Sequence, residues 1–293
     1  MICSLTCLTM MSKKVIFVND FWNYQGGAEL TFEALIEKCP YQHEKKESQA
    51  ITKEYLQQNK KNLFILGNLS LLSDELKFYF CKNINYCLLE FDYRICKHRL
   101  PQLHVDSNCD CQKTLLANIK TNMLLLFHSK INFFMSEQQK NYYLKNVSKL
   151  KNKNNIVISS AFCDKDMSTI KSQKIDNKND TWLIQKSNSW VKGTKNSIKY
   201  ATEKKLNFKL FENLTREQML SLFASSKGFI FLPNGFDTCP RTIIEAKLLG
   251  CEIICNDYVQ HSQEKWFLNK TSIWDKIQNN KVEFWNIIKD HEK

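Results

Sequence analysis

No uncharged apolar run in this chain approaches the ~18 residues needed to cross a bilayer, so no membrane-spanning helix is expected. Residues 1–11 are uncharged and fairly apolar. They lack the basic leading segment and small-residue cleavage site of a secretory signal peptide. Their nearest charges, Lys13 and Lys14, follow them, and Met11 is as good a start as Met1. There is no P-loop for a nucleoside triphosphate and no Gly-x-Gly-x-x-Gly fingerprint. Internal repeats and coiled-coil heptads are also missing. The twelve cysteines form no regular framework of spacings. A chain this long does not need disulfides, so they read as reduced thiols in a cytoplasmic protein.

What is present describes a folded chain. At 293 residues it can bury a sizeable core and is expected to divide into two domains. Hydrophobic content of 43% and charged content of 25% are ordinary for a soluble globular protein. The net charge of +12, carried mostly by Lys, favours an anionic partner such as a nucleoside diphosphate, nucleic acid or acidic membrane. A Lys- and Asn-rich coding bias on a solvated surface accounts for it equally well.

Residues 15–18 are a short apolar, β-branched strand. A loop carrying Gly26, Gly27, Ala28 and Glu29 follows, then a helix with Leu30, Ala34 and Leu35 on one face, stopping near Pro40. Two glycines let backbone approach a phosphate or sugar at a helix N-terminus, where N–H groups point outward; they also suit a plain tight turn. Residues 43–60 are polar and carry no pattern. Further strands are predicted at 63–66, 86–89 and 131–135, and helices at 71–80 and around 138–144. The strand at 86–89 delivers Glu90, Phe91, Asp92 and Tyr93 at its carboxyl end.

Two Lys-, Asn- and Ser-rich stretches, 144–155 and 171–180, bury little and read as linker. They place the division near residue 155: an N-terminal extension over 1–11, a first domain over 12–155 and a second over 156–293. From Thr181 the alternation is regular. Strands are predicted near Trp182, Phe208, Gly228 and Cys251, with helices over 194–203, 216–225 and 241–249, the spacing of βαβ units. The tail from His261 is expected to be helical, anchored by Trp266, Trp274, Ile277, Phe284, Trp285 and Ile288. Such alternation predicts α/β architecture with parallel sheets and helices on both faces.

Residues 228–257 hold the densest information. An apolar strand stops at Pro233, and a polar turn carries Asn234, Gly235, Phe236, Asp237 and Thr238. Pro240 opens a helix, whose first-turn N–H groups need no intrahelical partner. That helix carries Ile243, Ile244, Ala246, Leu248 and Leu249, ends at Gly250, and is followed by another strand. Asp237 sits in the loop and Glu245 in the helix, in the pattern acid-x7-Glu. Loops at strand carboxyl ends are where open α/β sheets hold ligands. Glu245 lies within a helix otherwise built for burial. A surface pair with Arg241, four residues earlier, would contribute only about 0.2–0.5 kcal/mol. A carboxylate accepting two ribose hydroxyls gains roughly 1.5–3 kcal/mol from each bond, which explains the placement better.

With Lys192-Gly193 before a helix, Phe231-Leu232-Pro233, Asp237, Glu245-Ala246 and Gly250, the segment 182–257 resembles the C-terminal domain of GT-B nucleotide-sugar glycosyltransferases, glycosyltransferase family 4 in particular. The Gly26-Gly27-Ala28-Glu29 loop is similar to that family's first glycine loop. The resemblance implies two Rossmann-like domains facing across a cleft. It also implies that Asp237 contacts the transferred sugar, Glu245 binds the ribose diol and Lys192 holds the diphosphate. Gly26, Gly27, Thr238 and Arg241 complete the implied donor-binding set. Asp237 stands where the family has Glu, with a shorter reach. The family's Gly-Arg before Lys-Gly is absent, and Lys186 or Ser187 stands near that position. The implied activity is retaining, metal-independent hexosyl transfer from a nucleotide-diphosphate sugar to a glycan, lipid, protein or nucleic-acid acceptor. Asp92 is the acceptor-side acid or base, or else a helix or turn cap.

Two other constellations need placing. Cys96, His98, His104, Cys109 and Cys111 lie within sixteen residues. Four of them, taken as Cys96, His104, Cys109 and Cys111, suit a structural tetrahedral zinc; otherwise they are reduced thiols in an acceptor-side loop. Asp164-Lys165-Asp166 is an Asp-x-Asp, but it follows no long apolar strand and reads as a surface pair. Two other functions stay open: glycosylation of a modified base in nucleic acid through the basic surface, and non-catalytic binding of nucleotide sugar or nucleic acid. Lys145, Lys149, Lys151 and Lys153 offer a peripheral membrane contact or, more simply, a solvated linker.

Overall fold

The computed structural model of the chain describes residues 14–24, 26–106, 117–175 and 177–291. Strand β1 (Val15–Asn19) is buried along its whole length. There follow α1 (Gly27–Glu37), β2 (His43–Glu47), α2 (Lys53–Gln58), β3 (Leu63–Leu66), α3 (Asp74–Asn83) and β4 (Asn85–Glu90). Next come α4 (Pro101–Asp106), α5 (Ala117–His128), β5 (Asn132–Phe134), α6 (Glu137–Asn146) and β6 (Asn155–Val157). The six strands form one parallel sheet in the order β2-β1-β3-β4-β5-β6. Parallel strands need crossovers, and each crossover here contains a helix. Helices therefore cover both faces, and the central strands are unbroken apolar runs such as Leu63–Leu66.

The second unit repeats this device. α7 (Asp164–Ser172) leads into β7 (Asn179–Gln185), α8 (Thr194–Glu203), β8 (Phe208–Phe211) and α9 (Arg216–Ser225). Then come β9 (Ser226–Phe231), α10 (Arg241–Leu248) and β10 (Glu252–Cys255). These four strands are also parallel, in the order β10-β9-β7-β8. Two Rossmann-like domains thus face each other.

The last helix, α11 (Lys270–Asp290), returns to the first sheet. Phe284 packs on Phe133 with ring centroids 4.7 Å apart, and the Trp285 indole donates to the Leu35 carbonyl oxygen at 2.8 Å. The buried Lys281 clips this helix in place, pairing with Glu37 at 2.7 Å and Asp164 at 2.6 Å. One apolar cluster consequently runs from Phe17 through Trp285 to Phe229 and Ile243, tying the two units to a common core.

Four stretches differ from the sequence reading. Residues 43–47 carry no apolar pattern yet form β2, because an edge strand is specified by its backbone ladder to β1 and is commonly charged on the outside. The helix predicted from Leu71 starts at Asp74, where the Ser73 side chain accepts from the Leu76 N–H at 3.3 Å. The supposed linker at 144–155 ends in β6, whose three residues pair with β5, so a division at 155 falls inside that strand. In the tail, α11 begins only at Lys270, and the residues before it make a single 3-10 turn, Lys265–Phe267.

Candidate functional site

Each sheet reverses its strand order once. β1 has β2 on one side and β3 on the other; β7 has β8 on one side and β9 on the other. A crevice opens outside the carboxyl ends at such a switch point. The two crevices meet in one cavity of about 500 Å³. From the first unit Gly27, Ala28, Asn68 and Asp92 line it; from the second come Gln185, Lys192, Arg216, Asp237, Thr238, Arg241 and Glu245.

Asp237 is held from several directions. Its N–H donates to the Tyr258 carbonyl oxygen at 2.8 Å, and its own carbonyl accepts from the Gln260 N–H at 3.1 Å. Its carboxylate pairs with Lys192 at 2.8 Å. On either side the loop is tied to the opposite domain. The Phe236 N–H donates to Gln102 Oε1 at 3.0 Å, and Thr238 Oγ1 donates to the Phe91 carbonyl oxygen at 2.8 Å. Lys192 ends a 3-10 turn, and its ammonium lies 5.4 Å from the Phe231 ring centroid. Gly193 comes next with φ of 59°, and a Cβ there would lie 1.9 Å from the Leu232 carbonyl oxygen. Only glycine combines that left-handed backbone with that close approach.

The same domain holds an ionic cluster of two carboxylates and two guanidinium groups, all buried except the part-exposed Arg216. Arg216 reaches Glu245 at 2.9 Å and Asp166 at 3.1 Å. Arg241 reaches Asp166 at 2.6 Å and Glu245 at 4.0 Å. The Arg241 guanidinium also donates to the Ala161 carbonyl oxygen and stands 3.8 Å from the Phe162 ring centroid. Glu245 is 1% exposed. Burial pushes its carboxyl above the usual carboxylate range, while Arg216 and Arg241 oppose that shift by favouring the charged form. Along the second domain's wall the cations Lys192, Arg216 and Arg241 alternate with the carboxylates Asp237 and Glu245, giving donors for phosphate oxygens and acceptors for hydroxyls. This arrangement suits a ligand bearing both phosphates and hydroxyls.

The cavity brings together Gly27, Asp92, Lys192, Asp237, Thr238, Arg241 and Glu245 from the sequence reading. Gly26 lies beside it as the N-cap of α1, where a Cβ would meet Glu29 Oε2 at 2.5 Å. Asp92 caps no helix; it faces the cavity and pairs with Arg99 at 2.7 Å. The surface pairing of Arg241 with Glu245, the lesser reading of the sequence, is ruled out by the burial of both, and Arg216 is the nearer cation to Glu245. Lys186 pairs with Glu212 at the surface.

Pro240 occupies the cap of α10 instead of its first helical position. Cys96 Sγ and His104 Nδ1 are 3.3 Å apart, and Cys109 and Cys111 lie outside the described residues. No group of three or more His, Cys, Asp or Glu side chains among the described residues is arranged to hold a metal ion.

Sequence reasoning missed Arg216 and misjudged Asp166. Thr215 and Gln218 form a capping box at the start of α9, so a helix N-terminus after β8 was readable. The direction of Arg216 depends on tertiary packing and was not. Asp164 and Asp166, two apart on one helix, cannot face the same way. Asp164 turns outward to Lys38 and Lys281, and Asp166 turns inward to the two arginines.

No protein-family profile matches the chain. No curated protein sequence matches it either. Solved structures do. HepE of Anabaena, in complex with UDP and glucose, is similar with a TM-score of 0.57 at 10% identity, over 95% of this chain and 100% of its own. The catalytic domain of starch synthase IV from Arabidopsis thaliana, bound to ADP and acarbose, gives 0.55 at 10%, over 93% and 92%. The N-terminal domain of Candida albicans trehalose-6-phosphate phosphatase gives 0.58 at 8%, over 97% and 98%. At such identities the likeness concerns the fold, and the fold is the GT-B arrangement of two Rossmann-like domains across a cleft.

Proposed function

We propose that this chain is a glycosyltransferase that moves a hexose from a nucleotide-diphosphate donor to an acceptor, with retention at the anomeric carbon and without a required metal. The observation that carries the reading is the meeting of Lys192, Asp237 and Glu245 with Gly27 and Asp92 in one cavity between facing switch points. Two of the similar folds hold a nucleoside diphosphate, UDP in one and ADP in the other. The donor lies against the second domain and the acceptor against the first.

In this reading Glu245 accepts from the ribose hydroxyls and Asp237 from a sugar hydroxyl. During reaction the bond from the anomeric carbon to the diphosphate oxygen breaks, and its electron pair leaves with the nucleoside diphosphate. Lys192 and Arg216 stabilise that developing charge with the donors left over from their carboxylate pairs, and Arg241 holds Arg216's carboxylate partners from behind. Gly27 and Ala28 offer N–H groups at the start of α1, where the helix dipole favours negative charge. Asp92 orients the acceptor hydroxyl, whose oxygen forms the new bond to the anomeric carbon while its proton passes to the departing diphosphate oxygen. Glu245→Gln leaves the helix intact and removes one negative acceptor. Donor affinity measured by calorimetry should fall at least about tenfold, the equivalent of one charge-assisted hydrogen bond. Unchanged affinity contradicts the assignment of Glu245.

A further inference from the structure

A second cavity of about 190 Å³ lies in the first domain, on the same rim of the sheet as the cleft. Its lining includes Lys77, Arg94, Lys97 and Arg99, with no carboxylate among the described lining residues. Three of these cations have acid partners outside the lining: Asp74 for Lys77, Glu90 for Arg94 and Asp92 for Arg99. Asp20 accepts from the Ser70 N–H at 2.8 Å, from the Leu71 N–H at 3.1 Å and from the Ser48 hydroxyl. Asp74 accepts from Thr121 Oγ1 at 2.7 Å.

Lys77 is the informative member. It is 4% exposed, and its only hydrogen bond among the described residues is a long 3.4 Å contact to Asp74. An ammonium has three donors, and burying it without acceptors is costly. Burial lowers the Lys77 pKa; Asp74 and, more weakly, Asp20 oppose the shift, and the positive field of Arg94 adds to it. A buried ammonium with donors left over, lining a cavity that has no carboxylate among its described lining residues, makes a place for an anion. About 190 Å³ is several times the roughly 30 Å³ share of a liquid water, enough for a tetrahedral oxyanion.

Arg99 links this cavity to the cleft. Arg99 lines the small cavity and binds Asn68 Oδ1 at 2.6 Å and Asp92 at 2.7 Å, and both of those residues line the cleft. We propose that the Lys77–Arg94–Lys97–Arg99 cavity binds an oxyanion, and that the acceptor is a phosphomonoester whose phosphate sits there while its hydroxyl reaches over Arg99 towards Asp92. The second half rests on the donor reading above; the first half does not.

The test uses inorganic phosphate titrated by calorimetry into the wild type, Lys77→Met and Lys192→Ala. Met keeps the length of the Lys77 stem, and a circular-dichroism melt confirms folding. Lys97→Ala, at an exposed position, serves as a second variant free of packing consequences. Phosphate affinity should fall at least about tenfold in Lys77→Met and about threefold in Lys97→Ala, and in Lys192→Ala the Lys77-dependent site should stay within about twofold while any phosphate binding in the donor cleft is lost. No phosphate binding by the wild type, or affinity that follows Lys192 in place of Lys77, overturns the anion site.

A second arm compares a sugar phosphomonoester with the same sugar lacking phosphate. Displacement of phosphate by the phosphomonoester alone supports the acceptor assignment. Binding of free phosphate with no displacement overturns that half. Donor affinity unmoved by Glu245→Gln overturns the donor reading and leaves the anion site standing.

Discussion

Acid should weaken this fold through one imidazole. His261 is 0% exposed, and neither ring nitrogen has a hydrogen-bond partner among the described residues. Its ring stacks on Trp266 at 5.4 Å and meets the edge of Phe267 at 4.6 Å. Burial, aided by the Lys247 charge, lowers its pKa from 6.5 to about 3. The folded state therefore keeps the ring neutral, whereas the unfolded chain takes up a proton below pH about 6.5. The stability that follows is complete above that value and falls as pH drops towards 3. Each pH unit inside the window removes about 1.4 kcal/mol, so going from pH 8 to pH 5 removes about 2 kcal/mol.

The loss bears on the site, because the neighbouring Gln260 donates its N–H to the Asp237 carbonyl oxygen and its side chain to Tyr93. Urea unfolding of the wild type and His261→Phe at several pH values isolates the effect, since all other groups titrate alike in both. The gap between their unfolding free energies should move by about 2 kcal/mol in favour of the variant from pH 8 to pH 5. Parallel profiles would refute the reasoning and show that the ring is solvated or hydrogen-bonded.

Other expectations follow from the same geometry. Gly193→Ala combines a left-handed backbone with contact against the Leu232 carbonyl; it should cost about 2–4 kcal/mol in a denaturation curve and weaken donor binding through Lys192. Arg216→Met removes the nearest cation from buried Glu245, with a loss of about 1–3 kcal/mol in stability and about tenfold in nucleotide affinity by calorimetry. Trp285→Ala opens the seam between α11 and the first sheet and should cost about 3–5 kcal/mol, read from the urea midpoint. Asp92→Asn should lower turnover while donor affinity stays within about twofold; equal loss of both would place Asp92 in donor binding instead.

The sequence was most legible where one apolar run met one special residue. Phe229 to Leu232 followed by Pro233, and Pro240 before the amphipathic run ending at Gly250, were sufficient to place β9, α10 and the acids between and within them. Glu245 was identifiable because a carboxylate amid Ile243, Ile244 and Ala246 must be buried with partners. The partner's identity was not readable. Arg216 lies twenty-nine residues away and meets Glu245 only through the parallel pairing that sets α9 beside α10. β2 escaped notice because its specificity is in backbone hydrogen bonds, which composition does not record. The basic cavity was equally hidden, since Lys77, Arg94 and Arg99 come from a helix and a separate loop and read singly as solvated charges.

The central claim is that the cleft binds a nucleotide-diphosphate sugar with Glu245 on its ribose. Calorimetric titration of UDP-, ADP- and GDP-sugars into the wild type and Glu245→Gln tests it most directly. The account predicts saturable binding of at least one donor by the wild type, weakened at least about tenfold in the folded variant. Failure of the wild type to bind any of the three, or equal affinity in the two proteins, would contradict it.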